Sequence, residues 1–300
     1  MRLEFTTVDV FTDRKFGGNP LAVIRDARGL SPAQMQSIAA EFNLSETTFV
    51  LPPDDPAHTA RVRIFTPRAE LPFAGHPNIG TAFVLGRAGT VFGRQVSGQI
   101  VFEEQAGRVE IDLLAEGGDI TGARLAAPQS LSIGPKVSRE AIAAACSIEA
   151  EAIEISGHEP CVTSTGTPFV TVELKSRAAL SVAAPAGEAF ARHVPLDLAV
   201  GIQLYVQDGA GGSDIETRVF APLQGVAEDP ATGSANVNLI TLLADLRPEP
   251  DLVLAKSISQ GVDMGRQSVL HAEARKESGT VTASWIGGAC VPMMEGILEI

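Results

Sequence analysis

The chain has 300 residues, 45% of them hydrophobic and 20% charged, the balance of a folded protein long enough for two domains with cores of their own. Its formal net charge of −13 excludes a nucleic-acid or anionic-membrane surface as the expected role, because neither polyanion is attracted to an acidic protein. Cys146, Cys161 and Cys290 are scattered, with no CxxC spacing and no companion histidines, so they read as reduced, buried thiols. No apolar run reaches the ~20 residues of a membrane span. Glu4 and Asp9 interrupt the start where a secretory signal needs an apolar core, so a cytoplasmic location is expected.

Residues 3–10 and 20–24 read as strands joined by "DRKFGGN", whose paired glycines permit a tight turn. "LSPAQMQSIAAEFN" follows as the best-marked helix: Ser31 caps it, Pro32 suits the first position, and Gln34 completes a capping box. Its Met35, Ile38, Ala39 and Phe42 fall on one face. Strands are expected at "ETTFVLPP" and "ARVRIFTP", then a helix at "NIGTAFVLGRAG". That helix has no charged face before Arg87 and belongs inside something. Short strands appear around 100–114, and "AEGGDITGARLAAPQS" reads as a linker. The second half restarts with "SREAIAAAC", a helix capped by Ser138, and continues with strands near 161–174 and 202–207. "ANVNLITLLADL" is again a helix with little charge. "SVLHAEARKESGTVTASW" is a hairpin turning at Ser278 and Gly279, and "GILEI" is one more short strand.

One corner is built twice. "RIFTPRAELPFAGHPNIGTAF" at 63–83 and "RVFAPLQGVAEDPATGSANVN" at 218–238 share an Arg-x-Phe start and a glycine that opens an apolar helix. A second echo pairs "SETTFVL" at 45–51 with "STGTPFVTV" at 164–172, which sets Glu46 opposite Gly166. The order of the echoes is the same in both halves. The fold class expected is therefore α+β, with two pseudo-symmetric domains, each a curved sheet wrapped around a central hydrophobic helix. The expected boundaries are 1–117, completed by a last strand near 291–300, and 128–290.

Two glycine-opened helix starts offer free N–H groups and positive dipole ends, which suit a small anion even on an acidic protein. A crevice between the halves is where such a ligand is expected. His76–Pro77 and Asp229–Pro230 have a bland reading as helix caps and a functional one as polar groups beside a bound acid. Glu46 either faces solvent as a structural carboxylate or points inward, where it can take and return a proton. The frame is doubled and the reactive groups are not: His76 follows the glycine of the first corner and Ser234 that of the second. A Ser234–His76–Asp229 triad lacks any supporting motif, and no GxSxG, GxxxxGK[ST] or GxGxxG is present. His58, His158, His193 and His271 are isolated, which gives no metal-ligand spacing.

These segments resemble a known family. "VDVFTDRKFGGNPLAV", "NLSETTFV", "RIFTPRAELPFAGHP", "FAPLQGVAEDPATGSAN" and "QGVDMGRQSV" are similar, in order from Val8 to Val269, to the signatures of the PhzF-like (phenazine biosynthesis-like) isomerases. The resemblance implies the diaminopimelate epimerase fold, a homodimer, no cofactor and a small carboxylate-bearing substrate. It implies that Glu46 is the acid/base group, with His76 and Asp229 holding the substrate's polar groups. Gly75, Pro77, Asn78, Thr232, Gly233 and Ser234 would line the substrate. Related epimerases use two cysteines at the corners, but here those places hold Ala74 and "ATGSA", so two-thiol racemisation is not expected. A non-thiol epimerase and a non-catalytic anion-binding protein are the alternatives. Asn78, where relatives often have Thr, and "GRQS" in place of "GRPS" are departures.

Overall fold

The computed structural model describes residues 1–209 and 211–300. The chain divides into an N-terminal unit, residues 1–126 with 287–300, and a C-terminal unit, residues 127–286.

In the N-terminal unit eight strands close on themselves. Arg2–Val10 pairs antiparallel with Asn19–Ile24, which runs parallel to Glu46–Leu51, which is antiparallel to Ala60–Phe65. Ala60–Phe65 then runs parallel to Gln99–Glu104, followed by the antiparallel strands Gly107–Glu116 and Asp119–Ala126. The last strand, Thr280–Glu299, bonds to Asp119–Ala126 and back to Arg2–Val10. The barrel surrounds a helix. α1 (Pro32–Phe42) packs outside, with the capping box formed by Ser31 and Gln34 and with Met35, Ile38 and Ala39 buried. α2 (Gly75–Ala88) sits against strands on several sides and buries every residue from Gly75 to Gly86. Gly80 permits this: a Cβ there would lie 2.6 Å from Leu21 and 2.7 Å from Val10 side-chain carbons. An all-round apolar helix is therefore the hub of the unit. The stretch read as a linker is not one. Gly117 and Gly118, both at positive φ, turn the chain into the strand Asp119–Ala126, because glycine serves a hairpin turn as readily as a loop.

The C-terminal unit repeats the pairing order. Cys161–Ser164 is antiparallel to Phe169–Glu173, which is parallel to Gly201–Gln207, which is antiparallel to Ile215–Ala221. Ile215–Ala221 runs parallel to Leu252–Gln260, which is antiparallel to Ser268–Glu277 and leads through Ser278–Gly279 into the last strand. α3 (Arg139–Cys146), capped by Ser138, joins α4 (Arg177–Val182) and α5 (Gly187–His193) around a core that includes Ile142, Leu180, Phe190 and Phe220. α6 (Gly233–Asp245) takes the place of α2 and packs on strands 252–260 and 268–277.

Register corrects one part of the duplication. Leu21 faces Glu46 across the parallel pair, and Phe169 faces Gly201 in the corresponding pair. The "GNPLAV" stretch is thus the counterpart of "GTPFVT", and Glu46 corresponds to Gly201 rather than Gly166. The second echo is real as sequence, but its two members occupy strands that are not equivalent in the two units. From that register, Glu70–Asn78 matches Glu228–Asn236 without a gap, and the pair of ion bridges Arg63–Glu70 and Arg218–Glu228 coincides.

Candidate active site

α1 ends at Asn43, whose φ of +50° reverses the chain, and Glu46 is the first residue of the strand that follows. That strand is tied to α2 by the buried contact of 2.8 Å between the Thr48 and Thr81 hydroxyls. Glu46 Oε2 lies 3.4 Å from His76 Nε2, and the two side chains are 16% and 6% exposed. The solvent-facing reading of Glu46 is overturned by that burial. On the other side of the ring, Asn19 Nδ2 lies 3.5 Å from His76 Nδ1, and the Pro20 carbonyl accepts a hydrogen bond from the imidazole. Distance alone would permit a Glu46–His76 ion pair, but burial pulls the His76 pKa down to about 3. The cost of charging an enclosed imidazole outweighs the help from Pro20, so His76 is neutral at pH 7. A neutral imidazole can share one proton with a carboxyl group or hold a substrate's polar group without adding charge. In ¹³C-histidine spectra the His76 resonance is therefore expected to stay that of the neutral ring from pH 8 down to pH 5. A titration near pH 6.5 would contradict it.

Neither corner residue is a cap. α2 starts at Gly75 with Ala74 as its N-cap, which makes no side-chain bond, and His76 and Pro77 are inside the first turn. α6 starts at Gly233 with Thr232 as its N-cap, again without a side-chain bond to the helix. The helix periodicity placed the starts a few residues late, and the glycines themselves are the first helical residues. Both starts therefore keep N–H groups for water or a ligand, except at Pro77, which has none.

In the C-terminal unit Asp229 ends the short strand Val226–Asp229 and lies outside the helix. Its Oδ2 accepts a 2.6 Å hydrogen bond from the Thr232 hydroxyl. Gln260 braces this loop: its amide donates to the Asp229 carbonyl at 2.7 Å and the Thr232 hydroxyl at 3.0 Å. Its oxygen accepts from the Thr232 N–H at 3.1 Å and from Asn236 at 2.7 Å. Ser234 is half-buried in the first turn of α6, and Gly233 is buried. Thus Glu46, His76, Pro77, Asn78 and Gly75 group in the N-terminal unit, and Asp229, Thr232, Gly233 and Ser234 in the C-terminal one. Asn19 and Gln260 escaped the sequence reading. Asn19 precedes a proline in the first turn and looked like a turn residue, whereas Gln260 stands at a strand end with no local motif.

The duplication explains the asymmetry. Glu46 has Gly201 as its counterpart, and a Cβ there would lie 2.4 Å from the Phe220 carbonyl oxygen, so no carboxylate fits. His76 matches Ser234, and Asp229 matches Leu71. The cysteines are free and buried, and burial pushes Cys146 and Cys290 up to about 12. Such thiols stay protonated, which is inert behaviour for cysteine. No group of His, Cys, Asp and Glu among the described residues could hold a metal, and no helix among them is long and apolar enough to cross a membrane.

The comparisons with known proteins agree on the family. A sequence-family model described as phenazine biosynthesis-like protein matches residues 8–296. The trans-2,3-dihydro-3-hydroxyanthranilate isomerase of Pseudomonas fluorescens is 34% identical over 296 residues, covering 99% of each chain. The crystal structure of a PhzF-family protein from Bacillus anthracis superposes with a TM-score of 0.89 at 23% identity, covering 100% of both chains. A hydroxyproline epimerase from Agrobacterium vitis shares the fold at a TM-score of 0.65 and 13% identity, covering 99% of this chain and 91% of its own. The chain, with its duplicated α+β frame and whole-length similarity, belongs to the phenazine biosynthesis-like (PhzF-like) family of isomerases.

Proposed function

We propose that the protein is a cofactor-independent isomerase that moves a proton on a small carboxylate-bearing molecule. Glu46 is the group that takes the proton from one carbon and returns it to another. The observation that carries this reading is the largely enclosed Glu46 carboxyl 3.4 Å from a His76 that burial keeps neutral, beside the uncapped start of α2. In the forward step the C–H bond breaks, its electron pair passes into the adjoining unsaturated system, and the proton joins Glu46. In the return step the carboxyl O–H breaks and a new C–H bond forms, so no oxidant or reductant is consumed. His76, beside Glu46, holds a polar group of the substrate, and N–H groups at the start of α2 around Gly75 hold its carboxylate. The family resemblance further supports a homodimer working in the cytoplasm.

The compound named for the Pseudomonas fluorescens relative, trans-2,3-dihydro-3-hydroxyanthranilate, is the first to test. Incubated with the protein in deuterium oxide, a true substrate is expected to gain one carbon-bound deuterium while its isomer accumulates, both visible by mass spectrometry and NMR. Binding without exchange, across that compound and a panel of small unsaturated carboxylates, would instead identify a non-catalytic binding protein.

A further inference from the structure

Glu104 is a buried carboxyl group that the proposed chemistry does not use. It ends the strand Gln99–Glu104, and the loop beyond it is tied to the approach to α2 by the Ala106 N–H bonding the Pro72 carbonyl at 3.1 Å. Part of the residue reaches the surface, yet both carboxyl oxygens are buried. Its neighbour is the fully buried Asn78, in the first turns of α2, two residues past His76. The Asn78 amide is close enough to favour the ionised carboxyl, but neither carboxyl oxygen and neither amide atom completes a strict hydrogen bond.

The duplicated half shows what belongs there. Arg61 faces Glu103 across one parallel strand pair, and Glu216 faces Ser259 across its counterpart, so Glu104 is the equivalent of Gln260. Asn78 is likewise the equivalent of Asn236. Gln260 both donates and accepts: it receives from Asn236 and Thr232 and gives to the Asp229 carbonyl. A carboxylate can only accept, whereas a protonated carboxyl has one O–H to give. Asn78 presents a buried amide oxygen that needs a donor, and an ionised Glu104 has none. Only the neutral acid satisfies both side chains, and buried polar groups are very rarely left unsatisfied.

We infer that Glu104 is held as a neutral acid that clasps Asn78 and so positions the first turn of α2, with His76 on it, as the Gln260 amide positions the start of α6. It is a positioning residue, and its bearing on turnover rests on the isomerase reading above. Charged groups on the elements around it are engaged elsewhere. Arg61 bridges Asp54, Arg63 bridges Glu70, Arg108 bridges Glu110, Glu103 bonds His58, and His76 faces Glu46. Burial pushes the Glu104 carboxyl up to about 8, so the clasp opens as pH rises through that value.

Two labelled samples test this without a substrate. With ¹³C in glutamate side-chain carboxyls, one resonance of the parent protein is expected to titrate near pH 8 and to vanish in Glu104→Gln. With ¹³C-histidine, the His76 resonance, identified by its loss in His76→Gln, is expected to shift over the same range in the parent and to stay put in Glu104→Gln. If a substrate is in hand, the exchange rate of the parent falls above pH 8 by up to ~10-fold per unit while Glu104→Gln stays level. A parent with no glutamate titrating near pH 8 overturns the inference even if the variant does not fold. So does a His76 shift that persists in the variant, or none in the parent. Because the spectra need no turnover, their failure leaves the isomerase reading intact, and failure of isomerisation leaves the state of Glu104 measurable.

Discussion

Glu46→Gln is expected to abolish solvent-deuterium incorporation into substrate while substrate still binds with nearly the parent affinity. Gln keeps the volume and one oxygen of Glu, so the contact with His76 at 3.4 Å and the strand start at Glu46 survive the change. What it removes is the ability to carry a proton. General acid/base groups contribute roughly 10²–10⁴-fold, so exchange should fall by at least about 100-fold. Binding, read by calorimetry, should weaken only a few-fold, because His76 and the N–H groups at the start of α2 remain. The split between rate and affinity is diagnostic, since loss of an interaction made only in the transition state lowers kcat and leaves binding alone. His76→Asn makes a useful contrast: it removes a group assigned to holding rather than proton transfer, and its loss should appear in affinity. Exchange undiminished in Glu46→Gln would take Glu46 out of the chemistry.

The frame of this protein was legible in its sequence, and the reasons are physical. The Arg-x-Phe corners and the glycines that open two apolar helices are local features, and they sit where the two units build the same strand order. α1 carried its own start signal in Ser31, Pro32 and Gln34. The less visible parts depend on register, which sequence similarity fixes poorly when strands are short and apolar. "TGTPFVTV" resembles both "SETTFVL" and "GGNPLAVI", and only the pairing of Phe169 with Gly201 decides between them. The same register makes Gln260 and Glu104 equivalent, which no motif announces, because the two lie at ends of strands with unlike neighbours. The helix starts were misplaced for a related reason. Ala74 and Thr232 are caps without capping bonds, so the usual side-chain signal is missing at both starts.

A buried acid that keeps its proton also leaves a mark on stability. Glu104 has an ordinary value of 4.5 when the chain is unfolded and about 8 in the folded protein. Between these values the unfolded chain releases the proton and the native protein holds it, so folding stability falls as pH rises from 4.5 and levels off above 8. The slope is about 1.4 kcal/mol per pH unit, and the whole difference has an upper bound of about 5 kcal/mol, reduced if water reaches the carboxyl as the protein relaxes. Glu104→Gln has no such proton to hold, and an amide already does this work at Gln260. Urea unfolding at intervals from pH 4.5 to 9 should therefore show the variant gaining on the parent by about 2–5 kcal/mol across the range, with the curves closest at the acid end. The acid limb tests a second group with the opposite sign of proton linkage. His76 is held at about 3 against an ordinary 6.5, so both proteins should lose stability in parallel as pH drops below 6.5. Parent and variant curves that run parallel above pH 4.5 as well would mean that Glu104 ionises freely in the fold, and the acid–amide clasp with Asn78 would then have no basis.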